Sequence, residues 1–302
     1  MSLSFAVLAS TRSGRGHSAR CLRQVVKELS RRGNVLLAQQ VSWAKEVSQV
    51  VEHACALDID VVVAIGGDGF VAACAPTVAA WQKILLPIPA GSGNDFVRSV
   101  GLPLDVGEVF AGFEGYCSRQ VDMLRVTGQS GQVKYCLGAV STGLDAAINA
   151  AANASRIPGA LGYRSALLQA ALRYKPFPYL IEFRDETGQR RRYRHHAYLA
   201  TCANTSVIGG GIKIASGSLG DGMFELVTFR KPPSVRKILQ AVSMANAGKI
   251  QENEFYEVTR LAWAKITPLV PIVAYADGDA LWQGSVEVAT ASQRLKVLAP
   301  VE

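Results

Sequence analysis

The chain has 302 residues and a formal charge of +8, and 49% of its residues are hydrophobic against 19% charged. This composition is typical of a globular protein with one large or two medium domains. No stretch approaches roughly eighteen uninterrupted apolar residues, which argues against a membrane-spanning helix.

Strands and helices are predicted to alternate in the first part of the chain. Its start lacks the basic residues and the long apolar run of a signal peptide, so we expect a buried strand there. Alternation of this kind implies βαβ units and a largely parallel sheet. The predicted strands are Ser4–Ala9, Val35–Val41, Val61–Ile65 and Ile84–Ile88, and the predicted helices are Ser18–Arg32, Ala44–Leu57, Phe70–Trp81 and a short helix starting near Asn94–Ser99.

The second part of the chain is predicted to be rich in strands. Gly, Asn, Asp and Pro separate short apolar runs, and turns such as Thr187-Gly188 suggest antiparallel pairing. Two helical stretches, Pro158–Tyr174 and Ser234–Ala247, interrupt this pattern. The predicted strands are Val121–Thr127, Val133–Val140, Tyr179–Arg184, Arg191–Ala203, Phe224–Phe229, Tyr256–Lys265, Pro271–Ala276 and Ser285–Val288.

These patterns predict two domains. Residues 1–122 form an α/β domain with a parallel sheet, and residues 123–288 form a β-rich antiparallel sandwich. The tail, about residues 289–302, is a candidate to return to the first domain.

The distribution of cysteines and of charges indicates the compartment and the possible partners of the protein. The six cysteines are widely spread without a Cys-x-x-Cys pair, which favours reduced, buried thiols in a cytosolic protein. Residues 1–125 carry a formal charge of +1 and residues 126–302 carry +7. A basic second half is compatible with nucleic acid, with an anionic bilayer, or with a merely solvated face, the simplest interpretation of a run such as Arg190–Arg194.

Two glycine-rich loops follow consecutive predicted strands. They are Ile65-Gly66-Gly67-Asp68-Gly69-Phe70 and Pro89-Ala90-Gly91-Ser92-Gly93-Asn94-Asp95-Phe96. Each loop alone is explained equally well as a tight turn with a helix-capping aspartate. Two of them at the ends of neighbouring parallel strands open on one crevice, where backbone N–H groups can approach phosphates. Asp68 and Asp95 add carboxylates, and this combination suits phosphoryl transfer.

Further acidic or glycine-rich turns recur downstream, and each is also explained as a hairpin turn. They are Ser141-Thr142-Gly143-Leu144-Asp145, Asn204 with Gly209-Gly210-Gly211, Gly220-Asp221-Gly222 and Asp277-Gly278-Asp279.

Taken together and in order, these motifs resemble the diacylglycerol kinase catalytic family, especially the soluble bacterial lipid kinases related to sphingosine kinases. The resemblance runs over nearly the whole chain, and Pro89–Phe96 is its most diagnostic piece. It implies a first domain of the nucleotide-binding type shared with phosphofructokinases and NAD kinases, and ATP and Mg²⁺ as cofactors.

The resemblance also implies roles for individual residues. Asp68 is expected to act in catalysis and in the metal–water network beside the γ-phosphate, with Asp95 and Asp221 as further metal candidates. Asp279 stands in the position proposed as general base for the lipid hydroxyl, and Asp277 helps to hold that turn. The expected nucleotide-binding residues are Ser10, Ser13, Gly14, Arg15, Gly66, Gly67, Gly69, Gly91, Ser92, Gly93 and Asn94.

The chain departs from the family pattern at three main places, besides a conservative Ser92 where the family has Thr. Ser10-Thr11 replaces the usual Asn-Pro of the first motif, and Phe70 with Val71-Ala72-Ala73 replaces a Thr and an Asn-Glu pair. Asp279 replaces the usual Glu, so its side chain is one methylene shorter. These changes bear on activity more than on fold.

The expected acceptor is a lipid alcohol such as diacylglycerol, phosphorylated on its primary hydroxyl. Leu161 and Leu168, on the predicted helix 158–174, and Phe177 are candidates for the lipid side, although packing of that helix on the β domain is an equal alternative. The basic second half then predicts a transient anionic membrane surface as partner, with no nucleic acid, and a cytoplasmic, peripherally membrane-associated protein. The oligomeric state stays open, with a homodimer among the options.

Two other functions are considered. The altered first motif and the apolar residues after Gly69 suggest a nucleotide- or lipid-binding regulatory protein with weak or lost kinase activity. A kinase for a soluble substrate such as NAD is disfavoured by Gly91–Phe96.

Overall fold

The computed structural model describes residues 3–13, 17–42, 45–144, 176–184, 187–214, 218–229, 234 and 256–301. Backbone contacts divide the chain into two units, Met1–Val121 with Ser292–Glu302, and Asp122–Ala291. Each unit has its own sheets and core, and each is described by itself below.

The first unit is built on a six-stranded sheet in the order β2-β1-β3-β4-β20-β5. All neighbours are parallel except β20 and β5. The central strand β3 has the sequence Val-Val-Val-Ala-Ile-Gly and is buried along its whole length, as expected for a parallel strand covered on both faces. The strands are β1 Leu3–Ser10, β2 Gly33–Val41, β3 Val61–Gly66, β4 Ile84–Pro89, β5 Tyr116–Val121 and β20 Leu295–Pro300.

Helices connect these strands. On the first helix, Ser18, Cys21, Val25 and Leu29 recur at helical spacing and are buried, so this face packs on the sheet. The side chain of Asp105 caps the last helix by accepting from the N–H groups of the second and third helical residues, at 2.7 and 3.1 Å. The described helices are α1 His17–Leu29, α2 Lys45–Ala56, α3 Asp68–Ala80, α4 Asp95–Ser99 and α5 Val106–Ala111.

The second unit is a sandwich of two antiparallel sheets. The first sandwich sheet has the strand order β10-β9-β16-β19-β6-β7, and the second has the order β15-β14-β11-β8-β17-β18. One core cluster takes buried side chains from both sheets, for example Ile181 from the first and Leu226 from the second. The strands are β6 Leu124–Gly128, β7 Val133–Cys136, β8 Ala139–Gly143, β9 Phe177–Arg184, β10 Arg190–Ala197, β11 Leu199–Ala203, β12 Val207–Ile208, β13 Ile212–Lys213, β14 Phe224–Phe229, β15 Tyr256–Leu261, β16 Trp263–Pro268, β17 Val273–Ala276, β18 Asp279–Gln283 and β19 Val286–Thr290.

The predicted fold class, an α/β domain followed by a β-rich antiparallel sandwich, is confirmed. Several individual strand predictions are wrong in one respect, because a single predicted strand is two strands. Val133–Val140, Arg191–Ala203 and Tyr256–Lys265 each break and pass from one sandwich sheet to the other. Both halves of each run contribute side chains to the same core, so the hydrophobic pattern continues across the break.

Other differences are smaller. Val121–Thr127 is also two strands, β5 in the first unit and β6 in the second, and neither α5 nor β20 was predicted. The predicted helix Pro158–Tyr174 and all but the first residue of Ser234–Ala247 lie outside the described residues. No helix within the part of the chain that the structure describes is long and apolar enough to cross a membrane.

Neighbouring residues on β9 allow a test of the sandwich core. Ile181 is fully buried between the sheets, whereas Leu180 faces outward and is half-buried. We expect Ile181→Ala to lower the free energy of unfolding by about 3 kcal/mol, because it opens a cavity, and Leu180→Ala to lower it by less than about 1 kcal/mol. Urea unfolding measures both values, and equal losses would contradict the orientation of β9.

Candidate active site

Loops from three adjacent parallel strands meet in the first unit. They follow β1, β3 and β4, which are neighbours in the sheet, so their carboxyl ends share one edge. The hydroxyl of Ser13 accepts the Gly67 N–H at 3.2 Å, which ties the first loop to the second. The Ser10 hydroxyl is buried and accepts the N–H groups of Arg12 and Ser13 at 3.3 and 3.2 Å. Ser10 and Ser13 therefore shape the first loop and fix its distance from Gly67.

The two glycine-rich loops touch backbone to backbone. A Cβ added at Gly91 would lie 2.5 Å from the Gly67 Cα, and one added at Gly67 would lie 3.2 Å from the Gly91 Cα. Such distances leave no room for a side chain at Gly91, so the approach of the loops requires glycine there. The sequence predicted both loops, and the structure brings them into direct contact.

Asn94 closes the second loop on itself. Its backbone is left-handed, with φ of 56°, a conformation that asparagine tolerates better than most residues. Its side chain accepts the Gly91 N–H at 2.9 Å and donates to the Gly91 carbonyl at 3.1 Å. The N–H groups of Gly67 and Gly91 thus donate within the protein, where they rigidify the loops, while Ser92 at the tip is exposed.

Asp68 links the two loops through its carboxylate. It is the first residue of α3, and its Oδ1 accepts the Phe96 N–H at 3.0 Å. Burial raises the pKa of this carboxyl, and N–H bonds from Phe96, Asp95 and Asn94 oppose that rise. Since α4 has no side-chain cap of its own, Asp68 serves the start of α4 from a different loop.

Asp95 is the first residue of α4, is half-buried, and follows the N-cap residue Asn94. Its carbonyl accepts the Ser99 hydroxyl at 2.8 Å.

Asp221, in the second unit, is held by two partners. Its Oδ1 accepts the Met223 N–H at 2.9 Å, and its Oδ2 forms an ion pair with Arg260 on β15. The next residue, Gly222, donates its N–H at 2.6 Å to Asp122, a fully buried carboxylate. Sequence analysis missed Asp122 because it falls inside the run predicted as the strand Val121–Thr127.

Asn204, the residue that follows β11, organises the same region. It is 4% exposed, and its amide donates to the carbonyls of Asp122 and Leu137 at 2.9 and 2.8 Å. Its own N–H donates to the Gly138 carbonyl at 2.8 Å. The buried Asn204 therefore joins separate segments of the second unit by hydrogen bonds.

The Asp277-Gly278 pair is a two-residue hairpin turn between β17 and β18. Both residues have positive φ, 49° and 82°, which fits the type I′ turn that Asp-Gly favours. The Asp277 carboxylate accepts the N–H groups of Leu137 and Gly138 at 3.0 and 2.7 Å and the Cys136 thiol at 3.2 Å. Burial, and then the Asp277 charge, raise the pKa of that thiol well above its ordinary value. Asp279 follows the turn as the first residue of β18 and is half-buried.

The remaining predicted residues are placed as follows. Gly66 ends β3, and Gly69 lies in the first turn of α3. Gly93 accepts from the Arg98 side chain at 3.5 Å. Phe177 begins β9 and packs against the sandwich core, with its ring 5.0 Å from that of Tyr179. Gly14, Arg15, Leu161 and Leu168 lie outside the described residues, and within the described ones no group of three His, Cys, Asp or Glu side chains could hold a metal ion.

The α/β unit with paired glycine loops at one sheet edge and the antiparallel sandwich that follows it each match a known protein family. Residues 4–126 match the family described as "Diacylglycerol kinase catalytic domain". Residues 138–299 match that described as "YegS C-terminal NAD kinase beta sandwich-like domain". The chain belongs to the diacylglycerol kinase family of lipid kinases, as the sequence motifs predicted.

Individual relatives agree with this assignment. The chain is 28% identical over 297 residues to a diacylglycerol kinase of Mycobacterium tuberculosis, covering 97% of this chain and 94% of that protein. It is 24% identical to a probable YegS-like lipid kinase of Xanthomonas campestris pv. campestris, over 93% of this chain and 92% of the relative. Among solved structures, a putative diacylglycerol kinase from Bacillus anthracis str. Sterne shares the fold, with a TM-score of 0.74, 17% identity and coverage of 99% and 97%.

Contact between the glycine loops yields a prediction with a matched control. We expect Gly91→Ala to lower the free energy of unfolding by about 1–3 kcal/mol, because the new methyl group overlaps the Gly67 backbone. Gly115→Ala has open space around the new methyl group, so it is expected to be neutral or to stabilise by up to about 1 kcal/mol. Thermal unfolding of the two variants measures the difference, and a neutral Gly91→Ala would contradict the loop contact.

Proposed function

We propose that the protein is an ATP- and Mg²⁺-dependent lipid kinase that transfers the γ-phosphate to the primary hydroxyl of diacylglycerol or a related lipid alcohol. The observation that carries the proposal is the Asp68 carboxylate, which joins two touching glycine loops in a chain of the lipid kinase family. The glycines let phosphates approach the loop backbone closely, although the Gly67 and Gly91 N–H groups already donate within the protein, and Asp68 adds a carboxylate where the loops meet.

Residues of the loops that follow β1, β3 and β4 are proposed to hold ATP. Ser13, Gly67 and Gly91 already form one hydrogen-bonded and close-packed surface, so phosphates meet a rigid wall rather than loops that must first be ordered. Ser92, Gly93 and Gly69 complete the wall, with Gly14 and Arg15 proposed from the family resemblance. Ser10 supports this surface from beneath because its hydroxyl is buried against the first loop.

The proposed metal ligands are carboxylates, the oxygen donors that Mg²⁺ prefers. Asp68 fits best, because a carboxyl whose pKa is raised by burial is stabilised in its charged form by a cation. Asp221 is proposed as a further ligand that must first leave Arg260, and Asp95 as a ligand from α4. When bound, Mg²⁺ supplies charge neutralisation on the transferred phosphate.

Asp279 is proposed to accept the proton of the lipid hydroxyl as the hydroxyl oxygen bonds to the γ-phosphorus and ADP leaves. Its position directly after a type I′ turn gives it a fixed backbone, since Asp277 anchors that turn to residues 137 and 138. General bases of this kind contribute through position first and pKa second.

The acceptor implies a transient membrane contact, so we propose a cytoplasmic enzyme that works at an anionic bilayer surface and does not bind nucleic acid. A second candidate, a nucleotide- or lipid-binding regulatory protein, is favoured by one observation. Phe70, Val71 and Ala72 after the first glycine loop are buried and apolar, so these three positions of α3 offer no polar side chain.

Asp68→Asn tests the proposed site. The amide oxygen retains an acceptor for the Phe96 N–H, so we expect the fold to persist while release of ADP with diacylglycerol vesicles falls by about a thousandfold or more. The matched control Asp58→Asn removes an exposed carboxylate of the same unit and is expected to leave turnover unchanged. Turnover of Asp68→Asn within tenfold of the parent protein would contradict the assignment.

Asp279 is tested by a pair of substitutions that separate charge from length. Asp279→Asn removes the base and is expected to lower turnover by about 100-fold or more. Asp279→Glu keeps the carboxylate and restores the residue usual in the family, so we expect turnover within about tenfold of the parent protein. Equal losses for both substitutions would show that Asp279 does not act as the base.

A further inference from the structure

The outward face of the first sandwich sheet is strongly basic. Side chains alternate along its strands, and those of Ile181, Ala264 and Val126 point into the sandwich core, which places their chain neighbours on the opposite face. Strand pairing places six basic residues from four strands on this opposite face, and they form what we call the basic face: Arg125, Arg184, Arg190, Arg192, Arg194 and Lys265.

Few carboxylates balance this charge. Among the described residues of that face, Glu182 and Glu287 are the acidic ones, which leaves a formal excess of four positive charges. Glu182 lies 2.9 Å from Arg190 and 4.0 Å from Arg192, so one carboxylate is shared by two guanidinium groups. Asp185 and Glu186, which lie between β9 and β10 in the sequence, are outside the described residues.

The basic side chains are accessible. Arg190 and Arg192 are 63% and 65% exposed, and Arg125, Arg184 and Arg194 are exposed as well. Exposed guanidinium groups that share so few counter-charges attract polyanions at physiological ionic strength.

Protection of a free sheet edge does not explain the pattern. Charged residues on an edge strand prevent pairing with other chains, and β10 is an edge strand. Arg184, Lys265 and Arg125, however, lie on β9, β16 and β6, which are interior strands of the same sheet. Their charge serves the face rather than the edge.

We propose that the basic face docks the protein on an anionic lipid bilayer, an inference that rests on the proposed function. Six strands spaced about 4.8 Å apart give a broad sheet face about 24 Å across, suited to a planar partner. Trp263 and Tyr135 lie on the same face, and aromatic side chains with a polar tip are typical of membrane interfaces. The Arg190 guanidinium lies 5.6 Å from the Trp263 ring centroid, so charge and aromatic surface adjoin.

Vesicle binding without nucleotide tests the docking surface. The parent protein is expected to co-sediment with phosphatidylcholine vesicles that contain phosphatidylglycerol, and not with phosphatidylcholine alone. Arg192→Gln with Arg194→Gln is expected to weaken this binding about tenfold, because each basic residue near an anionic surface contributes measurably. The control Arg23→Gln with Lys27→Gln removes the same charge from the exposed side of α1 and is expected to change binding less than about twofold.

Three results would overturn the inference. They are failure of the parent protein to bind the anionic vesicles, equal weakening by both double variants, and tighter binding of a DNA duplex that depends on Arg192 and Arg194. Turnover of diacylglycerol in neutral detergent micelles separates this inference from the kinase proposal. The Arg192→Gln, Arg194→Gln variant is expected to match the turnover of the parent protein in these micelles. Absence of turnover by the parent protein would contradict the kinase proposal, whereas the vesicle-binding comparison tests the docking surface independently.

Discussion

The arrangement of the glycine loops in the first unit depends on the hydrogen bond between the Asp68 carboxylate and the Phe96 N–H. Asp68 is the first residue of α3, and one of its carboxylate oxygens accepts the Phe96 N–H in the first turn of α4. This bond fixes two helix N-termini and two glycine loops together. Burial of this carboxyl raises its pKa, so a cation nearby would favour its charged form. The residue that organises the loops is thereby also the one proposed as a catalytic residue and metal ligand.

The second unit repeats the device with different residues. Asp277 accepts backbone N–H groups of Leu137 and Gly138, and Asp122 accepts that of Gly222. Carboxylates that receive backbone N–H groups hold glycine-containing turns in a defined position, because the bonds are charge-assisted and directional. Asp221 and Asp279 stand beside these anchored turns, which gives both proposed functional carboxylates a defined backbone.

Local features were predictable from the sequence, and features that depend on distant residues were not. Glycine loops after buried apolar strands are encoded within eight or so residues, so Gly66–Gly69 and Pro89–Asp95 were found together with the parallel sheet. The contact of Gly67 with Gly91 and the pairing of Asp221 with Arg260 need the folded chain. Likewise, the passage of Arg191–Ala203 from one sheet to the other does not change the hydrophobic pattern of the sequence, because both sheets face one shared core.

Mass spectrometry of a total lipid extract incubated with the protein and ATP tests the central claim most directly. A lipid kinase is expected to convert one class of lipid alcohol to its phosphate ester, with ADP formed in equal amount and no product in the Asp68→Asn protein. Binding of ATP without any phosphorylated lipid across the whole extract would contradict the claim and favour the regulatory alternative.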